Sequence, residues 1–181
     1  MDESIVRSLF DEAKAARDRA SLNSDEKKEV WRKFHRLAEA EYIPARDYFV
    51  KGLNDPDWDW RSQCVSFLGY HYSFSPDDEI INKIREMVLN DPEDMVRLAA
   101  AHVLGSRSKW PEPALITALS DDPEECVRQS AFIALIGSAG VPYPVRHLEA
   151  DRMDAGEFQP MWKEVERVIA AAGLSSLKKL A

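Results

Sequence analysis

The chain is poor in the residues that most catalytic and membrane functions need. Two cysteines, Cys64 and Cys126, are too few for a disulfide framework. Both are expected as reduced core thiols inside helices. Glycine is scarce, at 7 of 181 residues, and no glycine-rich phosphate loop occurs. No apolar run approaches the ~20 residues of a spanning helix. The start, Met1-Asp2-Glu3-Ser4, lacks the basic and apolar regions of a signal peptide. A cytoplasmic protein without membrane contact is the expectation. Histidine occurs four times. His35 and Glu39 lie four apart, which reads as a surface pair on a helix. His71, His102 and His147 are isolated in sequence. No catalytic residue, metal site or cofactor is expected.

Basic charge is also short, and the deficit is local. Residues 1–52 hold 11 bases and 11 acids, and residues 138–181 hold 6 of each. Residues 53–137 hold 7 bases against 15 acids, so the whole net charge of −8 sits there. Such a surface repels nucleic-acid phosphates and favours a basic protein partner.

What the chain does have is a triplicated stretch. Asp55-Pro56-Asp57-Trp58-Asp59-Trp60-Arg61 runs on to Leu68-Gly69. Asp91-Pro92-Glu93-Asp94-Met95-Val96-Arg97 runs on to Leu104-Gly105, and Asp122-Pro123-Glu124-Glu125-Cys126-Val127-Arg128 to Leu135. Trp60/Val96/Val127, Cys64/Ala100/Ala131 and Leu68/Leu104/Leu135 lie four apart, so each copy presents one buried helical stripe. The middle row is small throughout, which lets a neighbouring helix come close. Asp55, Asp91 and Asp122 fit the N-cap of a helix, with Pro56, Pro92 and Pro123 at its first position. Arg61, Arg97 and Arg128 each lie six residues after that Asp, too far for an easy bond to it. A ladder from each Arg to an Asp of the adjacent repeat is expected, held by the planar guanidinium fork.

Helical periodicity organises the rest. Residues 2–20 carry Ile5, Leu9, Ala13, Ala16 and Ala20 on one face. After the break Ser21-Leu22-Asn23-Ser24, Ser24 can cap a second helix with Val30, Trp31, Phe34, Leu37 and Ala38. Residues 1–43 are thus expected as an N-terminal capping hairpin, since stacked repeats need a covered end. Helix 44–53 leads into the first Asp-Pro helix, 78–90 into 92–105, and 111–120 into 123–137. Short loops make each pair antiparallel. Residues 44–137 are three repeats, and 138–181 a degenerate fourth that closes the stack. That last part holds a short helix through Ala150, a break at Asp154-Ala155-Gly156, a helix over 160–172, and a turn at Ser175–Leu180. The whole of 1–181 reads as one all-α domain, a right-handed α-solenoid. The prolines are 36 and 31 residues apart. The extra five fall in Tyr70-His71-Tyr72-Ser73-Phe74-Ser75-Pro76, an aromatic insertion suited to contact with a partner.

Paired helices with Asp-Pro, Val-Arg, a small residue and Leu-Gly resemble the HEAT-repeat superfamily. The short period resembles the HEAT-like repeats of phycobilisome (bilin) lyases. The resemblance covers residues 44–137 and implies an α-solenoid that binds other proteins. The superfamily's hydroxylase branch uses His-Glu dipeptides as iron ligands, and this chain has none. Its DNA-glycosylase branch uses a basic groove, and these repeats are acidic. The leading expectation is therefore a non-catalytic adaptor or scaffold. An immunity-type protein that neutralises a basic effector is an alternative. A chromophore lyase subunit is another, with Trp58, Trp60, Tyr70, Tyr72 and Phe74 lining a groove for a tetrapyrrole.

Two surfaces are candidates for the partner. One is the outer row of the second helices, Trp58, Ser62, Asp94, Leu98, Glu125 and Gln129, with Tyr70, Tyr72 and Phe74 beside it. The other is a rim of ten carboxylates at the starts of those helices: Asp55, Asp57, Asp59, Asp91, Glu93, Asp94, Asp121, Asp122, Glu124 and Glu125. Oligomeric state is not readable from this pattern.

Overall fold

The computed structural model describes residues 2–19, 23–108 and 110–174. Ala20, Ser21, Leu22 and the expected turn at Ser175–Leu180 lie outside the described residues. The described residues form ten α-helices and no strand. They fall into two compact units, one ending at Ser73 and one beginning at Phe74. The division falls inside the aromatic insertion.

The first unit contains α1 (Glu3–Arg17), α2 (Ser24–Glu39), α3 (Ile43–Gly52) and α4 (Trp58–His71). α1 packs on α2, and α2 lies against both α3 and α4. α1 buries Val6, Phe10, Ala13 and Ala16. Its inner face is turned slightly from the expected one, and Ile5 is exposed. α2 is capped by Asn23 and not by Ser24. The Asn23 side chain accepts from the Asp25 and Glu26 amides, and Glu26 reaches back to the Asn23 amide. This reciprocal capping box satisfies donors at the helix start that have no partner within the helix. Ser24 is the first helical residue.

Aromatic packing dominates this core. Trp60 is only 1% exposed, and its ring lies 4.9 Å from Phe34 and 5.1 Å from a stacked Trp31. The large Trp60 fills the slot that valine takes in the other copies. Cys64 sits below it, fully buried, and burial pushes its thiol pKa up. Cys126 is also a free thiol but is only half-buried.

The second unit contains α5 (Glu79–Asn90), α6 (Asp94–Arg107), α7 (Pro113–Asp121), α8 (Glu125–Ser138), α9 (Tyr143–Asp154) and α10 (Trp162–Ala171). The α5/α6 and α7/α8 pairs each turn on three residues, so their helices run antiparallel. The pairs stack with α6 on α8 and α5 on α7, the packing of an α-solenoid. α9 and α10 then pack on α8. The small middle row explains the closeness of α6 and α8. Ala100 and Ala131 are fully buried, and a Cβ on Gly105 would stand 2.6 Å from the Ala134 Cβ.

Two buried carboxylates tie the second unit together. Glu112 caps α7 by accepting from the Ala114 amide, and Arg85 of α5 donates to both its oxygens at 3.1 Å. Glu149 of α9 takes Arg152 at 3.0 Å and Arg167 of α10 at 2.5 Å. Phe158 of the joining loop lies under both guanidinium groups, at 5.4 and 5.5 Å, and 5.5 Å from Phe132. Gly156 and Gly173, at positive φ, end α9 and α10.

Candidate partner-binding surface

The Asp-Pro turns set the geometry of the surface. In each, the Asp side chain accepts the backbone N–H two residues on. Asp55 takes the Asp57 amide at 3.0 Å, Asp91 the Glu93 amide at 3.1 Å, and Asp122 the Glu124 amide at 2.9 Å. These are Asx turns, and the helices start after them. The N-caps are therefore Asp57, Glu93 and Glu124, not Asp55, Asp91 and Asp122. Each Pro precedes the N-cap instead of opening the helix. Only Asp57 of the three caps with its side chain, accepting from the Asp59 amide at 3.1 Å.

The repeated arginine locks that turn from inside. The Arg61 Nη1 donates to the Asp55 carbonyl at 2.8 Å, Arg97 Nη1 to Asp91 at 3.0 Å, and Arg128 Nη1 to Asp122 at 2.6 Å. Each also reaches the following proline carbonyl. Contact with the same Asp therefore does occur, through its backbone oxygen, which the expectation overlooked.

The ladder appears where it can be followed within one unit. Arg97 Nε and Nη2 grip the two Asp122 oxygens at 2.7 and 3.0 Å. The Asp122 side chain is 5% exposed, and it holds the Arg97 guanidinium pKa above its ordinary value. In the first unit Asp55 has an equivalent partner from outside the repeats. Arg17, at the end of α1, reaches it at 2.6 Å and lies over the Trp60 ring at 4.9 Å. Lys27 of α2 approaches Asp59 at 3.4 Å.

These pairs thin the acidic rim. Asp55, Asp59 and Asp122 serve internal ion pairs. Asp94 is half-buried, and its carboxylate folds onto the Met95 amide at 2.7 Å. Glu93, Asp121, Glu124 and Glu125 of the second unit stay exposed, as does Asp57 in the first.

The outer row is mixed. In the first unit Trp58 is 42% exposed, Ser62 half-buried and Tyr70 50% exposed. Tyr72 belongs to the core. It is 4% exposed and donates its hydroxyl to the Tyr42 carbonyl at 3.1 Å, beside Phe49. Burial raises its pKa well above the ordinary tyrosine value. With Trp60 and Tyr72 both inside, the groove expected for a tetrapyrrole loses two of its five aromatic rings. In the second unit Phe74 and Leu98 are half-buried and Glu125 is exposed. Gln129 is half-buried and donates to Glu125 at 3.3 Å.

A cleft that sequence reasoning missed opens between the two pairs of the second unit. It encloses about 270 Å³. Leu89 is its exposed apolar part, and Asp91, Thr117, Asp121 and the paired Asp122 and Arg97 also line it. No signal in one copy of the motif reveals it, because it exists only where α5 meets α7.

His35 and Glu39 form an exposed pair at 3.6 Å. Among the described residues, no group of three or more His, Cys, Asp or Glu could hold a metal ion. No helix among them is long and apolar enough to cross a membrane.

No curated protein and no solved structure matches the chain. The family model of HEAT repeats matches residues 47–136, the segment that holds all three Asp-Pro turns and their arginines. The repeating turn, the stacked antiparallel pairs and that match agree: the chain belongs to the HEAT-repeat superfamily, through residues 47–136.

Proposed function

We propose that this protein is a non-catalytic interaction module whose second unit offers an acidic edge to a basic protein partner. HEAT repeats commonly act as protein-interaction scaffolds, which supports the broad reading. The observation that carries the finer one is at the two turns of the second unit. Glu93, Asp121, Glu124 and Glu125 are exposed there, while Arg97 beside them is already bound to Asp122. Helix dipoles favour acids at such positions. They account for about two per helix start, and the α7–α8 turn keeps three exposed, Asp121, Glu124 and Glu125, beside the paired Asp122. A field of this sign steers a cationic partner and repels nucleic acid. An adaptor and an immunity-type neutraliser of a basic effector both use such a surface.

The test is affinity capture from the native cell extract with the wild-type chain and with Glu93→Lys, Glu124→Lys and Glu125→Lys combined. A basic protein held by the wild type, released by raised salt and not held by the variant is the expected result. The same proteins on both baits would overturn the reading.

A further inference from the structure

The cleft between α5 and α7 has chemistry that the rim alone does not explain. Its lining joins the exposed side chain of Leu89 to three carboxylates, Asp91, Asp121 and Asp122, and one guanidinium, Arg97, which Asp122 already holds. At about 270 Å³ it falls below the ~300–1,000 Å³ of small-molecule sites. A bulky cofactor does not fit, while a single long side chain does. An anion is repelled by the carboxylates. A purely apolar group would desolvate the carboxylates without compensating them. A metal ion is disfavoured too. Asp91 and Asp122 already accept backbone amides, and Asp122 holds Arg97 on both oxygens. Asp121 is exposed and has no ion pair among the described residues. Arginine and lysine match this division, with a methylene stem that buries well and a head that stays charged.

We propose that the cleft is a slot for one arginine or lysine side chain of the partner. The stem lies on Leu89, and the charged head meets the exposed Asp121 carboxylate. Leu89, 42% exposed, is the apolar surface that such a stem would cover. The slot deepens the acidic-edge reading and rests on it. The rim attracts a basic partner from a distance, and the slot fixes its register.

The experiment is a titration of the full ¹⁵N-labelled chain with L-argininamide, and with L-citrullinamide, its isostere with an uncharged side chain. The expected result is a saturable shift of the Leu89, Thr117 and Asp121 amides with argininamide only. Asp121→Asn weakens that binding about two- to five-fold, the effect of one exposed ion pair. Thr117→Phe fills the slot and abolishes it, with the rest of the amide spectrum retained. Three results would each overturn the slot: no saturable shift at those amides, an equal response to citrullinamide, or a response that survives Thr117→Phe. The last would show charge attraction spread along the edge. The two proposals fail separately. Cleft shifts with rim-independent capture overturn the acidic edge, and rim-dependent capture with a silent cleft overturns the slot.

Discussion

Arg97 and Arg128 occupy the same place in successive repeats but hold different loads, so replacing each with alanine isolates one rung of the ladder. Both donate Nη1 to the carbonyls of their own Asp-Pro turn. Arg97 alone of the two also holds a carboxylate, Asp122, on Nε and Nη2. Removing Arg97 leaves that carboxylate, 5% exposed, without its cation. Breaking a buried pair from one side costs about 3–5 kcal/mol. Removing Arg128 forfeits charge-assisted bonds to carbonyls and orphans no charge. Arg128 is half-buried, so water replaces part of what is lost, and about 1–2 kcal/mol is expected. The gap between the two variants should be about 2 kcal/mol. Urea unfolding at neutral pH, with unchanged slope, would read it as a difference in midpoint. Adding Asp122→Ala closes a double-mutant cycle, which should show strong coupling to Arg97 through the side chain. Equal destabilisation by Arg97→Ala and Arg128→Ala, or a cycle that closes at zero for Arg97, would refute the rung.

Three further outcomes follow from packing and burial. Gly105→Ala should destabilise the second unit by about 1–3 kcal/mol in urea melts, because the new methyl would stand 2.6 Å from the Ala134 Cβ of the facing helix. Glu112→Gln should cost about 3 kcal/mol or more, since it strips the charge from a buried partner of Arg85, and hydrogen exchange should report it first in α7. Tyr72→Phe should cost about 0.5–1.5 kcal/mol at pH 7 by removing the hydroxyl's bond to the Tyr42 carbonyl, which keeps the Ala45 and Arg46 amides as donors. The folded-state pKa of Tyr72 is raised, so the wild type keeps this contribution below the ordinary tyrosine pKa of about 10 and loses it as pH climbs beyond. Unfolding midpoints of the two proteins should therefore converge in strong alkali.

Much of this was legible in the chain, and the reasons are physical. The stripes Trp60/Val96/Val127, Cys64/Ala100/Ala131 and Leu68/Leu104/Leu135 are buried as their spacing requires, because helix geometry converts a four-residue interval directly into a face. Three copies in agreement gave the pairing and the expectation of an arginine reaching an aspartate of the adjacent repeat, as Arg97 reaches Asp122. The Asp-Pro turns were placed correctly but assigned the wrong bond. An Asx turn and an N-cap both want an aspartate that accepts a nearby amide, and they differ only in whether the helix has begun. The contacts of Asp55 with Arg17 and of Arg85 with Glu112 were out of reach. They join residues 38 and 27 apart with no repeated pattern to align them. Tyr72 followed the same rule, since an irregular insertion has no period from which to read inside and outside.

The acidic edge of the second unit carries the functional account, and its electrostatics can be timed. The direct measurement is the association rate of the captured partner as salt is raised from about 0.02 to 0.2 M, a range over which screening shortens several-fold. The account predicts a fall of tenfold or more for the wild type and a shallow dependence once Glu93, Glu124 and Glu125 are lysines. A wild-type rate that ignores salt, or one that the three reversals leave unchanged, would contradict it.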